Sequence, residues 1–209
     1  MSIETRPGNL LVVTAPSGAG KTTLCRSVIE RLEPTIRYSI SHTTRPPRGN
    51  ERNGVDYHFV ADAEFDRLIG ENQMAEWATI HGHRYGTSRA EIEDSQARGQ
   101  DLFLDIEGQG AVQIKKLFPQ AILIYILPPS LADLRDRLLR RGSDAPAEIE
   151  RRWENARREL AFLPNYDYII VNDILSEATR GLEAIVLAAR QRRENMQDAI
   201  RRFPAAPQS

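Results

Sequence analysis

The stretch APSGAGKT, from Ala15 to Thr22, is the feature that most limits what this chain can fold into. It joins the apolar run Leu10–Ala15, which predicts a strand, to the segment Lys21–Leu32, which predicts a helix. Small residues let backbone N–H groups close around phosphate oxygens, and the helix N-terminus adds partial positive charge. Lys21 can reach the phosphates, and the Thr22 hydroxyl can ligate magnesium. The stretch therefore predicts a phosphate-binding P-loop.

The loop is expected to hold ATP largely through its backbone. The residues predicted to bind it are Ala15, Pro16, Ser17, Gly18, Ala19, Gly20, Lys21 and Thr22. Ala15 stands where such loops usually begin with glycine, so it must adopt a backbone conformation that alanine tolerates. A turn that binds nothing is the alternative, but the Lys-Thr pair at the required offset favours the nucleotide. The motif alone specifies only a nucleoside triphosphate.

Apolar runs of strand length alternate with helical segments along the rest of the chain, which predicts an α/β fold with a doubly wound parallel sheet. Asp101–Ile106 is followed by a helix through Phe118, and Ala121–Leu127 and Asp167–Asn172 are two more strands, both expected to be buried on both faces. A long helix from Ser176 carries one apolar stripe. The core is predicted to consist of residues 1–37, 96–129 and 165–202.

Two stretches interrupt this alternation. Short strand candidates, Val55–Val60 and Met74–Ile80, lie among turn-forming dipeptides and predict an inserted α+β subdomain over residues 38–95. An arginine-rich helical segment, broken at RRGSDAP, predicts a second insertion over residues 130–164. Residues 203–209 are expected to be an unpacked tail.

Composition excludes several classes of protein. The formal net charge is -1, so nothing draws the whole chain to DNA, RNA or a membrane surface. Cys25 is the single cysteine, and no apolar run is long enough to span a bilayer. The first residues do not resemble a signal peptide, so we expect a cytoplasmic protein. His81 and His83 have metal-like spacing but lack further ligands, which disfavours a zinc site.

Large or unusual side chains outside the motifs are expected to be structural. Trp77 and Trp153 are predicted to anchor the cores of their subdomains, and Phe65 and Leu68 share the apolar face of a helix. Cys25 follows the P-loop on the predicted helix and is expected to pack as a small apolar residue.

A second cluster of polar residues lies in the first insertion. Ser41, Arg45, Arg48 and Tyr57 offer two guanidinium groups and two hydroxyls within a short turn-rich stretch. Such a set suits a phosphate monoester. The segment AEWATIHGHRYGTS then supplies Glu76, Tyr85 and Thr87.

The P-loop, SHTTRPPR, NGVDY, EW, YGT, LDIEGQGA and IVND occur in an order and spacing that resembles the guanylate kinases, from Leu10 to about Ala189. The resemblance implies a P-loop nucleoside-monophosphate-kinase core, with a GMP-binding subdomain over residues 38–95 and a helical lid over residues 130–164. It implies transfer of the γ-phosphoryl group from ATP, bound with magnesium, to GMP, and it leaves dGMP open as an alternative acceptor. The oligomeric state stays open.

The resemblance assigns roles residue by residue. GMP phosphate contacts match Ser41, Arg45, Arg48, Tyr57 and Tyr85, guanine contacts match Glu76 and Thr87, and Asp105 and Glu107 complete the GMP side. Magnesium would be held by Thr22 and Asp105. The catalytic cations would be Lys21, Arg45, Arg137, Arg141 and Arg152. The family more often has Asp at position 107 and an aromatic residue at 108, where this chain has Glu107 and Gly108.

Some of the polar residues near these positions also fit a structural role without any contact to a nucleotide. Charge runs are usually solvated helix faces, which we expect for Arg140, Arg151, Arg157 and Arg158. Asn172 and Asp173 match the family's adenine-side loop, which includes Asn172 as an ATP contact, yet the pair is equally typical of a turn after a strand.

Three other functions remain possible from the motifs. A docking module on the same fold would have lost the chemistry, but Lys21, Thr22, Arg45 and Arg48 are all present. A kinase for a sugar phosphate would have no use for Glu76 and Thr87. A signalling GTPase would need an NKxD segment, and the sequence has none.

Overall fold

The computed structural model describes residues 6–80, 82–140 and 146–203. Its strands are β1 (Leu10–Thr14), β2 (Ile36–Tyr38), β3 (His42–Thr43), β4 (His58–Phe59), β5 (Met74–Ile80), β6 (His83–Ser88), β7 (Asp101–Asp105), β8 (Ile122–Leu127) and β9 (Tyr168–Val171). Its α-helices are α1 (Lys21–Leu32), α2 (Asp62–Gly70), α3 (Arg89–Ala97), α4 (Gly108–Leu117), α5 (Leu131–Arg140), α6 (Pro146–Leu160), α7 (Leu175–Arg190) and α8 (Gln197–Arg201). Short 3-10 helices span Leu163–Asn165 and Arg193–Met196.

The central sheet is parallel and has the strand order β2-β7-β1-β8-β9. Successive side chains of β1 point to opposite faces of this sheet. Leu11 and Val13 pack in a core with residues of α1 and α7, whereas Leu10 and Val12 pack in a core with residues of α3 and α4. Helices therefore cover both faces, and the predicted doubly wound α/β fold is confirmed.

A second sheet, of order β4-β3-β6-β5, lies within residues 38–95. β3 pairs in parallel with β4, and β6 runs antiparallel to both β3 and β5. Phe65 and Leu68 of α2 are buried beside Met74 of β5, as their spacing predicted. This small core packs α2 against β5.

Helices α5 and α6 pack on each other in the second insertion. Leu134 and Leu138 of α5 are buried against Ala156 of α6, and Trp153 is partly buried at the same contact. The break that the sequence places between these helices lies mostly at residues 141–145, outside the described residues. Residues 204–209 of the predicted tail also lie outside the described residues, and Phe203, which precedes them, is 82% exposed.

Three sequence expectations are wrong. β9 is not buried on both faces, because it forms the edge of the sheet and leaves Ile169 47% and Val171 53% exposed. Trp77 is 39% exposed and does not anchor its subdomain. The predicted strand Val55–Val60 shortens to His58–Phe59, because β3, its partner in the sheet, is itself only two residues long.

Asp101, at the start of β7, ties distant parts of the chain to the sheet. Its buried carboxylate accepts hydrogen bonds from Arg6 Nη1 at 2.7 Å, from the Asn9 backbone N–H at 2.8 Å and from Arg190 Nε at 2.7 Å. Two guanidinium groups compensate the charge that burial would otherwise make costly. The contact fastens the N-terminal segment and the end of α7 to the amino-terminal end of the parallel strands, opposite the P-loop.

None of the helices within the described ranges combines the length and apolar character that a bilayer span requires.

Candidate functional site

The P-loop connects β1 to α1, as predicted. Gly18 and Gly20 have φ angles of 96° and 88°, a region that residues with a Cβ rarely adopt. Gly20 is the N-cap of α1 and has no side chain that could cover the helix N-terminus, so the first-turn N–H groups remain available to an anion. Ala15 does not share this conformation, since Asn72 is the only non-glycine residue with positive φ in the described part of the chain. The loop therefore tolerates alanine at its first position.

Asn172, at the end of β9, supports the loop from below. Its Nδ2 donates to the backbone oxygen of Ala19 at 2.7 Å, and the side chain is buried. A Cβ on Gly20 would lie 2.5 Å from the same Nδ2. The backbone oxygen of Asn172 accepts a hydrogen bond from Arg137 Nη2 at 3.1 Å. This position suits a support for the P-loop, and the predicted contact of Asn172 with ATP stays a prediction.

Lys21 and Asp105 form an ion pair across the mouth of the sheet. Asp105 ends β7, and Lys21 begins α1 after the loop that follows β1, the parallel neighbour of β7. Both therefore lie at the carboxyl end of the sheet, where α/β folds bind ligands. The Thr14 hydroxyl donates to the backbone oxygen of Ile106 at 2.9 Å, which fixes the strand ends relative to each other. Thr22 is exposed at the first turn of α1. An ammonium group, a hydroxyl and a carboxylate therefore face the same open space.

That space is a cleft of about 700 Å³ between the central sheet and the second sheet. Of the predicted site residues it is lined by Lys21, Thr22, Ser41, Tyr57, Tyr85, Asp105 and Glu107. The sequence motifs did not point to Arg26, Arg37 or Tyr38, which also line it. Tyr38 ends β2 next to β7, so only the sheet order brings it to the cleft.

Arg45 is almost buried at the side of this cleft, with 5% of its surface exposed. Its guanidinium donates from Nη2 to Glu51 Oε1 at 2.9 Å and from Nε to the Tyr85 hydroxyl at 3.2 Å. The hydrogen bond to Glu51 and that to Tyr85 raise its pKa, although burial opposes them. Arg48 is exposed, and its backbone N–H donates to Glu51 Oε2 at 2.8 Å. Sequence reasoning missed Glu51.

Glu76 and Thr87 face each other on β5 and β6. The Thr87 hydroxyl donates to Glu76 Oε1 at 2.8 Å, and Glu76 is 4% exposed. A Cβ on Gly110 of α4 would lie 2.7 Å from Glu76 Oε2, so this glycine makes room for the carboxylate. Burial raises the pKa of Glu76 to about 7, against the hydrogen bonds from Thr87. Among the described residues this pair lies outside the lining of the 700 Å³ cleft.

The two positions that depart from the family pattern meet the end of the second insertion. The ring of Phe162 lies where a side chain on Gly108 would be, since a Cβ there would be 2.5 Å from its Cδ2 and Cγ atoms. Glu159 Oε2 accepts a hydrogen bond from the Gly108 backbone N–H at 3.0 Å. Glu107 lies at the exposed rim of the cleft. Partial desolvation by the surrounding protein raises the pKa of its carboxyl, whereas the positive charge of Lys21 lowers it. Gly108 thus lets Phe162 pack at the start of α4.

The arginines of the second insertion have different positions. Arg137 of α5 lies beside the P-loop, and a Cβ on Gly18 would be 3.9 Å from its Cβ. Arg152 of α6 is half-buried, and Arg141 lies outside the described residues. Arg151, Arg157 and Arg158 are exposed, in agreement with a solvated helix face. Only Arg137 is therefore placed near the P-loop by the described contacts.

Replacing Gly20 with alanine should disrupt the P-loop. The new Cβ meets Asn172, and the positive φ is strained for alanine at a cost of about 1–3 kcal/mol. We expect a lower melting temperature and a KM for ATP raised by about tenfold, measured by thermal unfolding and initial rates. Gly181→Ala in α7 is the matched control, because its Cβ meets nothing within 4 Å. Equal effects of the two variants would contradict the prediction.

Comparisons with known proteins point to a single family. A family model described as guanylate kinase matches residues 7–189. A guanylate kinase from Polaromonas sp. is 50% identical over 184 residues, which cover 88% of this chain and 89% of that protein. A guanylate kinase from Thermotoga maritima is 43% identical over 196 residues, with 94% of each chain covered. The crystal structure of guanylate kinase from Anaplasma phagocytophilum superposes with a TM-score of 0.77 at 30% identity, covering 98% of this chain and 100% of that one. The chain belongs to the guanylate kinase family.

Proposed function

We propose that this chain transfers the γ-phosphoryl group of ATP to GMP, giving ADP and GDP, with the residues placed above. One observation carries the proposal. The P-loop residues Lys21 and Thr22 and the acceptor-side residues Ser41, Tyr57 and Tyr85 line the same cleft of about 700 Å³. A donor phosphate and an acceptor phosphate bound at these two ends would face each other.

The acceptor in this reaction is a phosphate oxygen that is already largely anionic near neutral pH, so no general base is needed. Catalysis then depends on alignment and on neutralising charge at the transferred group. Lys21 pairs with Asp105, and the polyphosphate of ATP would offer it a stronger anionic partner. Lys21 thus already lies at the cleft, where the ATP phosphates are proposed to bind.

When Lys21 pairs with the ATP phosphates, the carboxylate oxygens of Asp105 become available to a magnesium ion. The Thr22 hydroxyl and the Asp105 carboxylate are hard oxygen donors on the same cleft, which is the ligand type that magnesium prefers. We propose that these two residues hold the ion with ATP. When bound, magnesium supplies positive charge to the phosphate oxygens.

Glu76 and Thr87 are proposed to read the guanine base. Guanine presents two donors, N1–H and the N2 amine, beside the O6 acceptor. The Glu76 carboxylate would accept from the two donors, while the Thr87 hydroxyl would turn from Glu76 to O6. Each hydrogen bond lost within the pair is then replaced by one to the base. Adenine lacks this pattern and would leave the buried carboxylate unpaired.

The insertions are proposed to act as separate functional parts. Residues 38–95 would carry the GMP site and residues 130–164 would form a lid, while residues 1–37, 96–129 and 165–202 form the core. Arg137, Arg141 and Arg152 would reach the transferred phosphoryl group when the lid closes, which would also exclude water. We propose a cytoplasmic location, since both nucleotides are abundant there.

A pH profile tests whether Glu76 acts as an ionised acceptor. Because its pKa is raised to about 7, the carboxyl of the free enzyme takes up a proton as the pH falls below that value. Protonation removes an acceptor for guanine, so kcat/KM for GMP should fall by about tenfold per pH unit below about 7. The phosphate of GMP also titrates, near pH 6. Glu76→Gln is the control, because its pH profile should show the titration of the GMP phosphate alone. Identical profiles for the two proteins would contradict the role of Glu76.

The activity itself is tested with purified protein, ATP and magnesium, by measuring ADP release with GMP, dGMP, AMP, UMP or ribose phosphates as acceptor. We expect release with GMP and little with AMP, UMP or the ribose phosphates. Preference for a ribose phosphate would support a sugar-phosphate kinase instead. Nucleotide binding without turnover of any acceptor would favour a docking module.

A further inference from the structure

Glu51 joins the two arginines predicted to bind the acceptor phosphate. One of its carboxylate oxygens accepts from Arg45 Nη2 at 2.9 Å, and the other accepts from the backbone N–H of Arg48 at 2.8 Å. A single side chain therefore closes the turn between residues 45 and 51. The side chain of Glu51 is 26% exposed, so it lies at the rim of the cluster, outside the core.

The Arg45 guanidinium is held on every nitrogen. Besides Glu51 and Tyr85, it donates from Nη1 to the backbone oxygen of Pro46 at 2.7 Å. The rings of Tyr57 and Phe59 lie 5.4 Å and 5.8 Å from its Cζ. A guanidinium has five N–H groups, so these contacts within the described residues leave one N–H on each terminal nitrogen. Those two N–H groups are available to an anion, and guanidinium groups commonly bind phosphate through two such N–H groups at once.

We propose that Glu51 is a positioning residue for the acceptor phosphate: it orients the Arg45 fork and holds Arg48 at the same turn, so that both arginines meet one phosphate. This inference rests on the proposed function. It assigns Glu51 no contact with the substrate.

A carboxylate suits this position for an electrostatic reason. A nearly buried guanidinium needs a partner of opposite charge, and removing that partner leaves the cation uncompensated and free to change its rotamer. Tyr85 and Pro46 offer neutral oxygens, so Glu51 is the charged partner that the structure gives Arg45. In the opposite role, Glu51 would be a resident anion that competes with the substrate phosphate for Arg45. Removing its charge would then lower KM for GMP.

Glu51→Gln tests the proposal in the full chain. Glutamine removes the charge and can accept only one of the two hydrogen bonds. We expect KM for GMP to rise by about tenfold, the effect of losing one charge-assisted hydrogen bond, while KM for ATP changes less than about twofold. Glu64→Gln is the matched control, because Glu64 pairs with Arg67 at 2.7 Å in the same subdomain but on α2. It should leave both KM values unchanged.

Glu51→Asp keeps the charge but shortens the side chain, so that one carboxylate can no longer span both partners. It should also raise KM for GMP, and it covers the case in which Glu51→Gln fails to fold. An unchanged KM for GMP in both variants overturns the proposal, and a lowered KM shows that Glu51 competes with the phosphate. If the unmodified protein does not phosphorylate GMP, the proposed function fails instead.

Discussion

Replacing Lys21 with alanine should lower kcat by about 1,000-fold or more, because the variant loses a cation placed where charge develops on the transferred phosphoryl group. Lys21 leads α1 at the mouth of the cleft and is already oriented there by Asp105. Neither of the other lysines of the chain, Lys115 and Lys116, is on the cleft, so neither can replace it. The effect is measured by initial rates at saturating ATP and GMP.

The control for this prediction is Lys116→Ala. Lys116 is exposed on α4 and should contribute nothing to the rate. Thermal unfolding of both variants separates loss of chemistry from loss of folding, since the pair between Lys21 and Asp105 is partly exposed and contributes little to stability. A Lys21→Ala enzyme that retained more than a tenth of the activity would show that the P-loop lysine is not needed for the transfer.

Replacing Glu76 with alanine should abolish the preference for GMP over AMP. The carboxylate is proposed to accept two charge-assisted hydrogen bonds from guanine, so kcat/KM for GMP should fall by about 1,000-fold. Adenine gains nothing from the carboxylate, so the small rate with AMP should stay as it is. The ratio of the two kcat/KM values is the quantity to measure. Equal losses with both acceptors would contradict the base-reading role.

A control variant separates this role of Glu76 from a general effect of losing a glutamate. Glu93→Ala is the matched control, because Glu93 is exposed on α3 outside the cleft and should not alter the ratio.

The stability of the protein should change with pH in a direction set by the pKa of Glu76. The raised pKa of Glu76 means that its contribution to stability is present at low pH and is lost as the pH rises through about 7. Glu76→Gln should therefore gain stability relative to the unmodified protein as the pH rises from about 4.5 to about 7, and the difference should be constant above that.

The structure of the P-loop segment was predictable because it depends on a local sequence pattern. A strand, a turn of small residues and a helix follow one another without interruption, and Lys21–Leu32 forms α1 with the predicted bounds. Periodicity likewise predicted that Phe65 and Leu68 would be buried. Glu51 carried no such signal, because a glutamate among arginines in a polar turn is typical of an exposed loop.

Long-range packing decided what the local pattern could not. The run Asp167–Asn172 is as apolar as Ala121–Leu127, yet β8 lies inside the sheet and β9 at its edge. Only the order of the strands distinguishes them. Gly108 is similar, because the aromatic ring that fills its space belongs to Phe162, more than fifty residues along the chain.

By itself the sequence determined the α/β fold, the P-loop and the family, because hydrophobic periodicity and a backbone-built anion site depend on neighbouring residues. The tertiary structure alone decided that Asn172 supports the loop, that Glu51 holds Arg45, and that burial between β5, β6 and α4 brings the pKa of Glu76 to about 7. Hydrogen-bond partners and burial are set by contacts between distant segments, and these form only when the whole chain packs.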